Sequence, residues 1–194
     1  MAFSDFKSIA QVQEGYKIKY VEEDFIEHYE LHPSKVFLEE FEFNRKNIDI
    51  FSSEASRCEN IIYPIIREVY KSFVDKYSLW SHKSISYDDQ LNGTPDYIIS
   101  TKSELGKTVL GLPVVLVAEA KQNNFIEGWG QCLAELVAAQ KINEQETIAV
   151  YGIVTDGELW QFGKLMSNIF TKHNTSLTIN SIDNLFQAIG YLLK

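Results

Sequence analysis

The stretch "LPVVLVAEAK", residues 112–121, limits the fold of this chain more than any other. Val114 to Val117 are apolar on both alternating faces. That is the pattern of a central strand covered by helices on each side, where a half-exposed strand would alternate. The run then ends in Glu119 and Lys121. Charges there are costly unless something pairs with them.

A second carboxylate poses the same problem. In "NGTPDYII", residues 92–99, Asp96 stands at the start of another apolar strand. Side chains two apart on a strand share a face, so Glu119 and Lys121 point one way while Ala118 and Ala120 point the other. If the two strands are neighbours, Asp96, Glu119 and Lys121 converge. Two carboxylates a few ångströms apart repel, so one protonates or both meet a cation. A hard ion such as Mg²⁺ suits them, since it takes oxygen ligands and keeps several waters. The backbone carbonyl of Ala120 offers a third oxygen. Such a site fits phosphodiester hydrolysis. Lys121 then either orients and helps deprotonate the attacking water or neutralises transition-state charge.

The rest of the chain supplies helices around these strands. "SSEASRCENIIYPIIREVYKSFVDKY" places Ile61, Ile62, Ile65, Ile66, Val69, Tyr70 and Phe73 at helical spacing, with Ser52 or Ser53 as N-cap and Glu54 in the first turn. Pro64 inside it kinks the helix or splits it. "SISYDDQL" reads as a strand followed by an Asn92-Gly93 turn, "KSELGKT" as a loop, and "FIEGWGQCLAELVAAQKIN" as a helix. "TIAVYGIVTDGELWQFGKL" reads as two strands joined at Asp156-Gly157, and the chain ends in an amphipathic helix capped by Asn180 or Ser181. Earlier, the first fifteen residues suggest a short helix and "YKIKYVEEDF" an edge strand, while "HPSKVFLEEFEFNRKNI" fits helix or strand. This order predicts an α/β fold with a mixed central sheet flanked by helices. Without repeats or linkers, we expect one domain over 1–194: a core of about 52–165, an accessory region 1–51 and a C-terminal helix 180–194.

These residues together resemble the PD-(D/E)XK nuclease superfamily. Pro95-Asp96 corresponds to its PD, and Glu119-Ala120-Lys121 to its ExK, 23 residues after Asp96. "SEASR" is similar to the opening of the family's first helix, with Glu54 as its glutamate; Glu59 is the second choice, and Glu68 lies on the same helix. "GWGQCLAELVAA" is similar to the helix that carries the family's glutamine, here Gln131, and "VYGIVTDGELWQF" to the strand pair that follows. Where some exonuclease branches have a tyrosine four residues after the glutamine, this chain has Glu135. The resemblance implies a restriction-endonuclease-like core. It also implies a Mg²⁺-dependent deoxyribonuclease, with Mn²⁺ as an alternative ion. Asp96, Glu119 and the Ala120 carbonyl would bind the metal and Lys121 would serve the water. Glu54 would support the metal, and Gln131 would position Lys121 or substrate.

Charge tempers that expectation. With 18 basic and 27 acidic residues the chain carries −9, whereas affinity for phosphate backbones comes mainly from Lys and Arg. A second expectation therefore stands beside the first: a non-catalytic nuclease-like module that binds a protein partner. A third form is a nuclease that draws DNA affinity or specificity from a homodimer or a protein partner. Lys83, Lys102 and Lys107 are candidate DNA contacts, Arg57 a candidate phosphate contact, Asp89 a candidate extra ligand, and Tyr87 and Asp88 candidate lining. No role falls to His28, His32, His82 or His173, and Trp129, Trp160 and Phe162 are expected in the core. No segment approaches the ~20 apolar residues of a bilayer span, so no membrane partner is expected. The opening residues lack a basic-then-apolar leader. With Cys58 and Cys132 both in expected helices, we anticipate a cytoplasmic protein with reduced thiols.

Overall fold

The computed structural model of the chain describes residues 2–194. Its centre is the predicted strand. β6 (Val114–Ala120) is buried along both faces, and an eight-stranded mixed sheet is built out from it on either side. β5 (Tyr97–Thr101) pairs antiparallel with one edge of β6, and β2 (Tyr77–Ser81) pairs with β5 at the rim of the sheet. The other edge of β6 pairs in parallel with β7 (Val150–Thr155), which turns into β8 (Leu159–Met166) and then β9 (Ile169–Lys172). β1 (Lys19–Glu22) closes this side as a parallel edge strand, and the short β10 (Leu177–Thr178) also pairs with β8.

Parallel β6 and β7 require a crossover, and α5 (Phe125–Asn143) supplies it. Asn124 caps its start by accepting the Glu127 N–H, and Asn143 ties its end to both backbone groups of Val114. α5 therefore runs antiparallel to β6 and lies flat on the sheet. Its two glycines have a packing reason. A Cβ on Gly128 would sit 2.7 Å from Val154 and 3.0 Å from Lys121, and one on Gly130 would sit 2.4 Å from the Ser8 backbone nitrogen. Gly130 thus lets the segment before α1 (Ile9–Tyr16) cross directly over α5.

The opposite face carries the other predicted helix. α3 (Glu54–Arg57) is capped by Ser53, continues as a π-helical turn over Cys58–Ile62, and re-enters as α4 (Tyr63–Lys71). Pro64 falls in the first turn of α4, directly after the π-helical turn, and the backbone stays helical across both junctions, so the helix is locally widened and not divided in two. Proline has no N–H for the Asn60 carbonyl, and the Asn44 side chain reaches that carbonyl at 3.5 Å instead. α2 (Lys35–Asn47) and α6 (Ile182–Leu193, N-cap Ser181) complete this layer. Each face of the sheet has its own apolar cluster, one holding Ile61, Ile65 and Phe162 and the other Trp129, Leu133 and Val117.

Two local expectations are corrected. "SISYDDQL" contributes only β3 (Ile85–Ser86), because Asp88 folds the next residues into a turn by accepting the Gln90 and Leu91 N–H groups. Asn92-Gly93 is not the turn but β4 (Asn92–Gly93), paired with β3. In the accessory region, over residues 2–51, β1 extends the sheet and α1 and α2 cover opposite faces. Among the described residues, no helix is long and apolar enough to cross a membrane.

Candidate active site

Strand register brings the two predicted carboxylates together. Tyr97 lies opposite Ala118 and Ile98 opposite Val117. One step further in that register sets Asp96 opposite Glu119, and opposed residues of an antiparallel pair share a face. The Asp96 side chain confirms the approach by accepting the Ala120 N–H at 2.8 Å. On the other edge of β6, Lys121 N–H donates to the Thr155 carbonyl at 2.9 Å. The end of β6 is therefore held from both sides. N–H and C=O of one strand residue point to the same neighbour, so the Ala120 carbonyl also faces the Asp96 side, past the end of β5.

Glu119 and Lys121 lie on the α5 side of the sheet. Lys121 Nζ is 2.8 Å from Glu119 Oε1. Glu119 is only 2% exposed, and its second oxygen is buried with no hydrogen-bond donor. Burial, then the charge of Asp96, pushes its carboxyl up to about 7, against the pull of Lys121. The Asp96 carboxyl is also raised, by burial, with the Ala120 N–H opposing. Burial works to lower the Lys121 pKa, but Glu119 and the other carboxylates outweigh it, and the net shift is upward.

Behind Glu119 stands a residue that the sequence marked only as a departure from the motif. Glu135 of α5 is fully buried, with one oxygen lacking a donor like that of Glu119. The two carboxyls are hydrogen-bond partners when a proton lies between them, and burial followed by the charge of Glu119 pushes Glu135 well up. Gln131 reaches the site through this residue, donating to Glu135 Oε1 at 3.1 Å, rather than to Lys121. The signal was present in "GWGQCLAELVAA": one acid inside an otherwise apolar helix face needs a partner.

Glu54 arrives from the other layer. Placed at the first turn of α3, its carboxylate accepts the Gln122 N–H at 3.1 Å, just beyond Lys121. Between α3 and the ends of β2 and β5 lies a cleft of about 520 Å³, lined by Glu54, Glu59, Tyr63, His82, Asp96 and Tyr97 among others. His82 is the residue missed. It sits at φ 48°, in the left-handed region, where its N–H donates to the Asp96 carbonyl and its Nδ1 stands 3.5 Å from Asp96 Oδ1. Nothing in "WSHKS" marks it, because the link is made by the pairing of β2 with β5.

Other candidates lie elsewhere. Arg57 is buried and structural: its guanidinium donates to the carbonyls of Asp156 at 2.8 Å and Phe51 at 3.3 Å, and stacks on the Phe51 ring. Glu68 is tied to Ser34 and Lys71. The Tyr87 ring packs on Lys141, in the last turn of α5, and Asp88 and Asp89 line a separate hollow with Ser84. Lys102 and Lys107 follow the far end of five-residue β5, about 17 Å of strand from Asp96. Only Lys83, beside His82 and over the Trp80 ring, stays near the cleft.

The donor set was tested against the divalent ion that the motif implies. Among the described residues no three His, Cys, Asp or Glu side chains stand together as a ready metal cluster. The set present is two carboxylates with a backbone carbonyl, and one carboxylate oxygen of Glu119 is buried without a donor. That fits a hard cation that keeps several of its own waters.

No protein-family model and no curated protein sequence matches the chain. Among solved structures, the type IIG restriction endonuclease BpuSI is similar over 67% of this chain, with 14% identity and a TM-score of 0.45, and this chain covers 15% of that one.

Proposed function

We propose that this chain hydrolyses phosphodiester bonds in DNA with a bound Mg²⁺ or Mn²⁺, on a restriction-endonuclease-like core. One observation supports the reading: the register of β5 and β6 carries Asp96 toward Glu119 at the strand ends, where Lys121 pairs with Glu119 and one Glu119 oxygen is buried without a donor. Asp96, Glu119 and the Ala120 carbonyl would hold the ion, which when bound lowers the pKa of water and offsets charge on the phosphorus oxygens. Lys121 orients the attacking water and counters the negative charge that builds on the phosphate. Glu54 fixes the strand end through Gln122, and Gln131 with Glu135 fixes the orientation of Glu119. The cleft takes the DNA backbone. Because the chain is acidic overall, a second copy or a protein partner supplies part of the DNA affinity.

The test is incubation of supercoiled and linear DNA with Mg²⁺ or Mn²⁺ beside Asp96→Ala and Lys121→Ala. Nicking or digestion by wild type, lost in both variants, is expected. Equal background in all three rejects the nuclease. The cleft walls of Glu54, Glu59 and Asp96 are acidic, and this favours one rival, a module that docks a basic protein segment. Binding of such a segment without cleavage, weakened by Asp96→Ala and kept by Lys121→Ala, would support it.

A further inference from the structure

A second cavity opens on the α5 face, beside β8 and β9. It measures about 280 Å³, close to the lower end of small-molecule sites at ~300 Å³. Ile9, Ala10, Phe125, Ile126 and Trp129 form apolar walls, and Ser8, Gln161 and Lys172 supply the polar lining.

The charges around it are unbalanced. Lys172 Nζ lies 5.7 Å from the centroid of the Trp129 ring, and no carboxylate pairs with it among the described residues. Its register neighbour on β1 is Glu22, but that carboxylate is engaged by the Tyr20 hydroxyl. Burial lowers the Lys172 pKa, and the nearby charge of Glu22 opposes this only in part. Gln161 is committed at one end only. Its Oε1 accepts the Trp129 indole N–H at 2.7 Å, and an indole nitrogen is a donor only, so the orientation of the amide is settled. The NH₂ end therefore has no protein acceptor among the described residues. An ammonium and an amide donor beside an apolar hollow match a ligand that brings its own negative charge.

We propose that this cavity binds a small carboxylate with an apolar body, the carboxylate on Lys172 and Gln161 and the body against Ile9, Phe125 and Ile126. The occupant is a free small molecule, because the hollow is too small for a folded element. The site is separate from the Asp96 cleft and does not depend on the nuclease reading. The helical turn that forms its wall packs with its other side on Lys121.

The test uses 3-phenylpropanoate and its uncharged analogue 3-phenylpropan-1-ol, titrated into the whole chain by calorimetry and by ligand-observed NMR. Wild type should bind the carboxylate about tenfold or more tighter than the alcohol, as expected for hydrogen bonds to a charged group. Lys172→Met keeps the apolar stem, should melt no lower than wild type, and should lose that preference. Binding of neither ligand, equal binding of both, or a preference that survives K172M overturns the proposal. Should K172M not fold, Ile126→Glu answers instead, since this side chain is 74% exposed and its replacement leaves the core alone. A rim carboxylate should weaken 3-phenylpropanoate binding more than binding of the alcohol, so that the preference for the carboxylate shrinks. Unchanged affinity for the carboxylate overturns the proposal.

Discussion

The Asp96 carboxylate accepts the backbone N–H of Ala120 at 2.8 Å, one step past the last residue pair that joins β5 to β6. The aspartate therefore has two separable properties, an acceptor that ends the strand pairing and a negative charge in the cleft. Asparagine preserves the first and removes the second. Asp96→Asn should fold with stability within about 1 kcal/mol of wild type, while Asp96→Ala should lose about 1–2 kcal/mol by orphaning the Ala120 N–H. Both should cut DNA cleavage by on the order of a hundredfold or more. Urea melts beside plasmid nicking check this. A stable but fully active D96N would show the charge to be idle.

Glu119 and Glu135 give the metal-free protein a characteristic pH dependence. Both carboxyls titrate above their ordinary values, Glu119 up to about 7, with burial the main cause. In that window the folded state binds more protons than the unfolded chain, so stability falls as pH rises from about 4.5 through 7. The loss between pH 5 and pH 8 should be on the order of 2 kcal/mol, read by urea melts at a series of pH values. Glu135→Gln should flatten the slope, because the amide still accepts from Gln131 and donates to an ionised Glu119. Added Mg²⁺ should stabilise wild type more at pH 8 than at pH 6, since a metal competes with the proton for the same oxygens. A slope of the opposite sign would contradict the buried pair.

How far the site could be seen in the chain depends on what held each residue there. Asp96, Glu119 and Lys121 were legible because charges at the ends of apolar strands are anomalous by themselves. Glu54 was legible as the acid in the first turn of a capped helix, although that helix in fact passes through a π-helical turn. Glu135 carried a readable signal that was noted only as a departure from a motif. His82 carried none: its position depends on β2, and "YSLWS" shows no clean alternation, since a rim strand needs little burial. α2 was ambiguous for a related reason. Phe37 and Phe41 are buried at helical spacing, but Val36 and Phe43 are exposed, and apolar residues on every side hide the period.

Arg57 shows how a cation in a promising place can be wholly structural. It is buried, and its two guanidinium hydrogen bonds cap carbonyls of the 51 loop and the β7–β8 turn. Arg57→Ala leaves two carbonyls without donors and removes packing on Phe51. A loss of about 2–4 kcal/mol is expected in chemical denaturation. DNA affinity of the folded fraction should be unchanged, which a phosphate contact would not allow.

Lysines near and far from the cleft should separate by salt dependence. Each phosphate contact contributes about −0.9 to the slope of log affinity against log salt. Lys83 follows His82 at the cleft, whereas Lys102 and Lys107 follow the distant end of β5. Lys83→Gln should therefore weaken binding to a labelled duplex and make the slope shallower by about one. The double variant Lys102→Gln, Lys107→Gln should leave both affinity and slope as in wild type. Fluorescence anisotropy with Ca²⁺ in place of Mg²⁺, across a range of salt, measures both quantities without cleavage. If the double variant loses as much slope as its two charges allow while Lys83→Gln loses none, the DNA runs along the opposite end of the sheet. The Asp96 cleft would then not be where the backbone lies.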